Sequence, residues 1–158
     1  MRTISVSRPA HASAASLIDA LWSGGEWRAA WSGIAGFDID YDDGEHQAAR
    51  LRINWGKEQR TLSLVRFREA PGSIAFFCPS APAPLSHQIG WWKAAPGDDG
   101  ATILTAIREL DIATLPGEPE AARQERLDAY EVQLRERLGQ ILESFVARCG
   151  DGAEEAMP

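Results

Sequence analysis

Arg66 is the side chain of this 158-residue chain whose type and setting best suit chemistry. In the run Arg60–Arg68, alternation puts Leu62, Leu64, Arg66 and Arg68 on one face of a strand, and Thr61, Ser63, Val65 and Phe67 on the other. Neither face is apolar throughout. If Leu62 and Leu64 point into the core, Arg66 enters with them. If Val65 and Phe67 do, Arg66 is a solvated surface residue. An arginine inside an apolar cavity keeps its charge and binds a carbonyl or enolate oxygen. That helps a reaction in which negative charge builds on oxygen, such as an aldol ring closure. His87, beside the Pro-rich stretch Pro79–Pro84, is the second candidate, because a near-neutral pKa suits proton transfer. A lone histidine at a strand start fits a hydrogen-bonded structural group as well.

Six tryptophans are many for a chain of this length. Core packing accounts for at least half of them. The functional reading of Trp27, Trp31, Trp55 and Trp91 is a flat aromatic lining for a planar ligand. Trp91 and Trp92 are adjacent, so one faces in and the other out. Asp38, Asp40, Asp42, Asp43 and Glu45 do not follow the spacing of a calcium loop. Asp38 and Asp40 alternate with Phe37, Ile39 and Tyr41 and read as the solvent face of a strand. No metal site is expected. Cys78 and Cys149 have no metal-ligand spacing and are expected to be free thiols. No hydrolase triad order and no phosphate-binding glycine loop occurs.

The elements that must position these groups are legible from periodicity. Arg2–Ser7 alternates as a strand, and helical spacing follows over Ala12–Trp22, ended by Ser23-Gly24-Gly25. Glu26–Trp31 predicts a short helix with Trp27 and Trp31 on one face. From about Ile34 to Ala113 the pattern has period two, broken by Gly, Pro and Asp turns. Predicted strands include Arg60–Arg68, Ser73–Cys78, Ser86–Lys93 and Thr102–Ile112. After Pro119 the period becomes helical to about Cys149, with Leu127, Tyr130, Leu134, Leu138, Ile141, Leu142 and Phe145 on one stripe. There is no βαβ alternation.

Composition is that of an ordinary globular chain, 44% apolar and 25% charged. A net charge of −7 opposes nucleic-acid binding in bulk. No signal-like segment and no run of membrane-spanning length is seen, so a cytoplasmic location is expected. The expected organisation is one domain over residues 1–149 and a disordered acidic tail over 150–158.

Several local strings resemble the START-like (SRPBCC) superfamily, in particular its bacterial polyketide aromatase/cyclase branch. They are Trp27 with Trp31, Asp43-Gly44 with Arg50-Leu51, Leu64-Val65-Arg66-Phe67, Ile89-Gly90-Trp91, and Gly100-Ala101-Thr102. Arg28 stands where the branch carries proline. The resemblance implies an α+β helix-grip fold, a curved antiparallel sheet of about seven strands around a long C-terminal helix, enclosing a ligand cavity. It further implies that Arg66 faces that cavity and holds an oxyanion, and that His87 or ordered water moves protons. Trp27, Trp31, Trp55, Phe76 and Trp91 would line the binding site. No cofactor is implied. The implied ligand is a hydrophobic or aromatic small molecule, with polyketide synthase components as partners. The implied activity is cyclisation of a polyketide-type intermediate. A non-catalytic carrier that only sequesters a hydrophobic small molecule or lipid would use the same pocket.

Overall fold

A computed structural model describes residues 1–155 of the chain, with side chains up to 150 except those of Trp55 and Ala70. The strands are β1 (Arg2–Ala10), β2 (Ile34–Asp42), β3 (His46–Trp55), β4 (Glu58–Ala70), β5 (Ser73–Phe77), β6 (Leu85–Pro96) and β7 (Thr102–Ile112). The helices are α1 (Ala14–Ser23), α2 (Trp27–Ala30) and α3 (Glu120–Glu155). The segment expected to be an acidic tail falls from 151 onward outside the described side chains.

All seven strands form one antiparallel sheet in the order β1-β7-β6-β5-β4-β3-β2. From β2 to β7 the chain meanders, each strand beside the next. β1 and β2 are the two sheet edges, and α1 and α2 carry the chain between them. Register shifts in the β2–β3, β4–β5 and β6–β7 pairs bend the sheet. Helix α3 lies against the concave side, packing on β1, β7, α1 and α2. This is the α+β helix-grip arrangement.

Periodicity explains the core. Leu127, Leu134, Leu138, Ile141, Leu142 and Phe145 of α3 are all buried. Each such side chain contributes roughly 1.5–3 kcal/mol relative to exposure. Leu17, Ile18, Leu21 and Trp22 bury the inner face of α1. Ser13 caps that helix, its Oγ accepting from the Ser16 N–H at 3.1 Å. Gly24 ends it in the left-handed region, φ 82°. A Cβ at Gly24 would stand 2.8 Å from a Phe37 ring carbon, so both the dihedral and the space call for glycine.

β1 runs on through Pro9 to Ala10, beyond the Ser7 end expected from alternation. The reason is its place at the sheet edge, where proline's missing N–H breaks no ladder. Asp38 and Asp40 lie on the solvent side as expected, paired with Arg52 and Arg50 at 2.9 Å each. Both cysteines are free. Among the described residues, no helix is long and apolar enough to cross a membrane.

The entry to α3 is tied by Glu118. Its carboxylate accepts from Arg126 Nε at 2.6 Å and Nη2 at 2.7 Å, and from the Leu115 N–H at 3.2 Å. The Arg126 guanidinium is the main reason its pKa falls from 4.5 to about 2. The backbone N–H groups of His46 and Glu45 likewise hold the Asp43 carboxyl at about 2. Both groups bind protons less readily when folded than when unfolded. Their stabilisation is therefore present above the ordinary carboxylate range and lost as pH falls toward about 2. Melting followed by circular dichroism is expected to show Tm falling across that window, less steeply in Glu118→Gln. A flat profile there would contradict the assignment.

Candidate functional site

The register of β4 settles which way Arg66 points. Leu64 and Arg66 are buried on the concave face, and Val65 and Phe67 lie on the outer one. Arg66 sits in a cross-strand row that reads Gln47, Arg66, Phe76, Gly90, Arg108 from β3 to β7. Two arginines thus lie on the concave floor, three strand spacings or roughly 14 Å apart.

Gly90 separates them for a steric reason. A Cβ there would meet Cε1 and Cζ of Phe76 at 2.7 Å and the Ile107 carbonyl oxygen at 2.7 Å. Only glycine lets the Phe76 ring lie across the strand. That ring and Trp92 then face the Arg108 guanidinium, whose Cζ is 4.5 Å from each ring centroid.

Arg66 is 2% exposed and firmly held. Its Nη1 donates to Gln47 Oε1 at 3.0 Å, and its Nη2 donates to the Leu21 carbonyl. That carbonyl belongs to the last turn of α1, where helix carbonyls lack partners and the helix dipole is negative. The Trp27 indole N–H reaches the same oxygen at 2.8 Å, and Gln47 Nε2 donates to the Trp22 carbonyl at 2.9 Å. Trp22 and Phe37 lie beside the guanidinium, 5.3 and 5.2 Å from ring centroid to Cζ. Burial lowers the Arg66 pKa to about 9, partly offset by Asp42. Arg66 therefore stays charged at neutral pH and pins α1 to the sheet.

Arg108, 5% exposed, is held less completely. Its Nη1 donates to the Ile107 carbonyl at 2.8 Å and the Trp91 carbonyl at 3.4 Å. Burial lowers its pKa to about 9 as well. The sequence carried a signal for this residue: Leu104, Ala106, Leu110 and Ile112 are the inward positions of β7, and Arg108 is the one charge among them. Ile103 and Ile107 on the opposite face masked that signal.

Between this floor and α3 lies a cavity of about 100 Å³. One water needs roughly 10–15 Å³ on this measure, so the space holds several waters or a ring system. Trp27, Trp31, Phe76 and Trp92 supply aromatic walls, and Tyr130 and Arg137 come from α3. Exposed Ala83 and half-buried Arg60, Pro82 and Pro84 mark its open end. Among the described residues, no Asp, Glu or His lines it.

Of the residues singled out from sequence, Arg66, Trp27, Trp31 and Phe76 meet in this cavity. The Trp55 side chain lies outside the described residues. Trp91 and His87 require correction. Trp92 faces in, because Gln88, Gly90, Trp92 and Ala94 form the buried set of β6. Trp91 therefore lies on the outer face, its ring 5.9 Å from Lys93 Nζ. His87 shares that outer parity and stands 3.7 Å from Glu109. It cannot reach the cavity.

No known family profile matches the sequence, and no curated protein does. Solved structures do match in shape. The di-domain aromatase/cyclase StfQ of the steffimycin biosynthetic pathway superposes with a TM-score of 0.81 at 16% identity. That match covers 96% of this chain and 52% of StfQ, so the chain spans about half that protein's length. The Zhui aromatase/cyclase from Streptomyces sp. R1128 gives 0.73 at 18% identity, covering 94% of this chain and 93% of its own. A START superfamily protein from Mycobacterium smegmatis gives 0.67 at 17%, covering 92% and 97%. With the curved seven-stranded sheet, the gripping helix and the cavity between them, these likenesses identify the fold as START-like, resembling that of the aromatase/cyclases.

Proposed function

We propose that this protein binds a hydrophobic, aromatic or polyketide-type molecule in the cavity and promotes its cyclisation. The observation that carries the reading is an aromatic-walled cavity with buried, charged arginines on its floor. Such a cavity would hold a flexible chain in one folded shape, which supplies rate through orientation. The guanidinium of Arg66 would stabilise enolate oxygen as the carbon–carbon bond forms. Its two Nη bonds to Gln47 and Leu21 fix its position in advance. With His87 on the outer face, proton transfer falls to water or the Tyr130 phenol.

The second reading is a carrier. The absence of Asp, Glu and His from the described lining favours it, because no ordinary general base meets the ligand. One assay separates the two. Poly-β-ketone chains released by a minimal polyketide synthase cyclise spontaneously to a mixture. Cyclase action is expected to enrich one ring pattern in proportion to the protein added. An unchanged product mixture, together with quenched tryptophan emission on ligand addition, would establish the carrier. No quenching and no effect on products would contradict both readings.

A further inference from the structure

We propose that the ligand of this cavity carries an anionic oxygen group, a carboxylate or ionised enol, on its planar body, and that Arg108 binds that group. The inference rests on the cavity reading above and specifies its ligand.

Four arginines line the cavity, Arg60, Arg66, Arg108 and Arg137, and no carboxylate among the described residues does. The chain as a whole has a net charge of −7, so this positive interior runs against the overall balance. Arg66 has an evident structural answer in the last turn of α1 and Gln47. Arg60 donates to the Ala83 carbonyl at 2.8 Å at the open end. Arg108 has no comparable answer. Its Nη1 meets two backbone carbonyls, while its Nε and Nη2 have no hydrogen-bond partner among the described residues. A buried guanidinium without a counter-ion costs stability. The sheet nevertheless prepares a seat for it, with Gly90 cleared so that Phe76 and Trp92 flank the charge.

That seat fixes the guanidinium while leaving N–H groups unsatisfied. A carboxylate or enolate accepts such donors with charge-assisted bonds, and a planar fork suits it better than an ammonium would. The aromatic walls meanwhile accept the flat remainder of the molecule. The missing counter-ion is therefore the ligand's own.

Calorimetric titration with 2-naphthoate and 2-naphthamide tests this, because the two share shape and differ in charge. Native protein is expected to bind the naphthoate about tenfold more tightly, despite the negative chain. In Arg108→Met that preference should disappear while naphthamide affinity changes less than about threefold. The melting temperature of Arg108→Met should hold or rise, since an apolar side chain replaces an unpaired charge. Arg108→Lys should keep part of the preference. If Arg108→Met does not fold, an undiminished naphthoate affinity in Arg108→Lys overturns the proposal, and a reduced one supports it. Equal affinities in native protein overturn the anion assignment and leave the cavity reading standing. A preference that survives Arg108→Met overturns the assignment to Arg108. Failure of both compounds to bind overturns the cavity reading along with it.

Discussion

Arg66→Ala is expected to destabilise the native protein by about 3 kcal/mol, well before any effect on turnover is considered. The substitution leaves the buried Gln47 Oε1 without its donor and removes one of two donors from the Leu21 carbonyl. It also empties the space beside Trp22 and Phe37. For a chain of this size that loss corresponds to roughly 6–12 °C in Tm. Arg66→Lys should recover part of it, because one ammonium cannot serve both acceptors in the geometry of the planar fork. Arg52→Ala is the control. Arg52 is half-buried on the outer sheet face, where it pairs with half-buried Asp38, so its removal should shift stability by no more than about 0.5 kcal/mol. Equal and small effects of the two substitutions in thermal melts would refute the anchoring role. An activity assay on Arg66→Ala alone would confuse a lost oxyanion donor with a loosened α1, so the lysine variant belongs in the same experiment.

Trp27→Ala should cost still more, about 4 kcal/mol. Trp27 stacks on Phe37 at 5.6 Å and meets Trp92 and Phe145 edge-on at 5.4 and 5.1 Å between centroids. It joins α2, β2, β6 and α3 at one point, and its N–H shares the Leu21 carbonyl with Arg66. Truncation opens a void at the cavity wall and breaks that junction. Trp27→Phe should retain most of the packing and lose the hydrogen bond. Urea unfolding is the suitable measurement, and a loss below about 1 kcal/mol would show that these four elements are held together elsewhere.

The fold was legible because its periodicities are clean. β7 spans Thr102–Ile112 as alternation predicts, and the apolar stripe of α3 is the one that packs. The site was only partly legible, and the reasons are specific. Parity within β4 could not say which face of Arg66 was buried, since both faces mix apolar and polar residues. The sheet register decides it. The choice between Trp91 and Trp92 depended on Gly90, whose role is to pass beneath Phe76, a residue on another strand. One of the two partners that fix Arg66 is the Leu21 backbone carbonyl, and side-chain types say nothing of a helix end brought beside a strand. Arg108 left a trace as a charge at an inward position, but a strand with isoleucines on both faces conceals it.

Where an aromatic anion binds is the most direct test of the cavity and of Arg108. A crystal structure of the protein grown with 2-naphthoate is predicted to show the rings between α3 and the sheet, beside Phe76 and Trp92, with the carboxylate within hydrogen-bond distance of Arg108. Naphthoate seated on the outer sheet face beside Trp91, with the inner space filled by side chains, would contradict it.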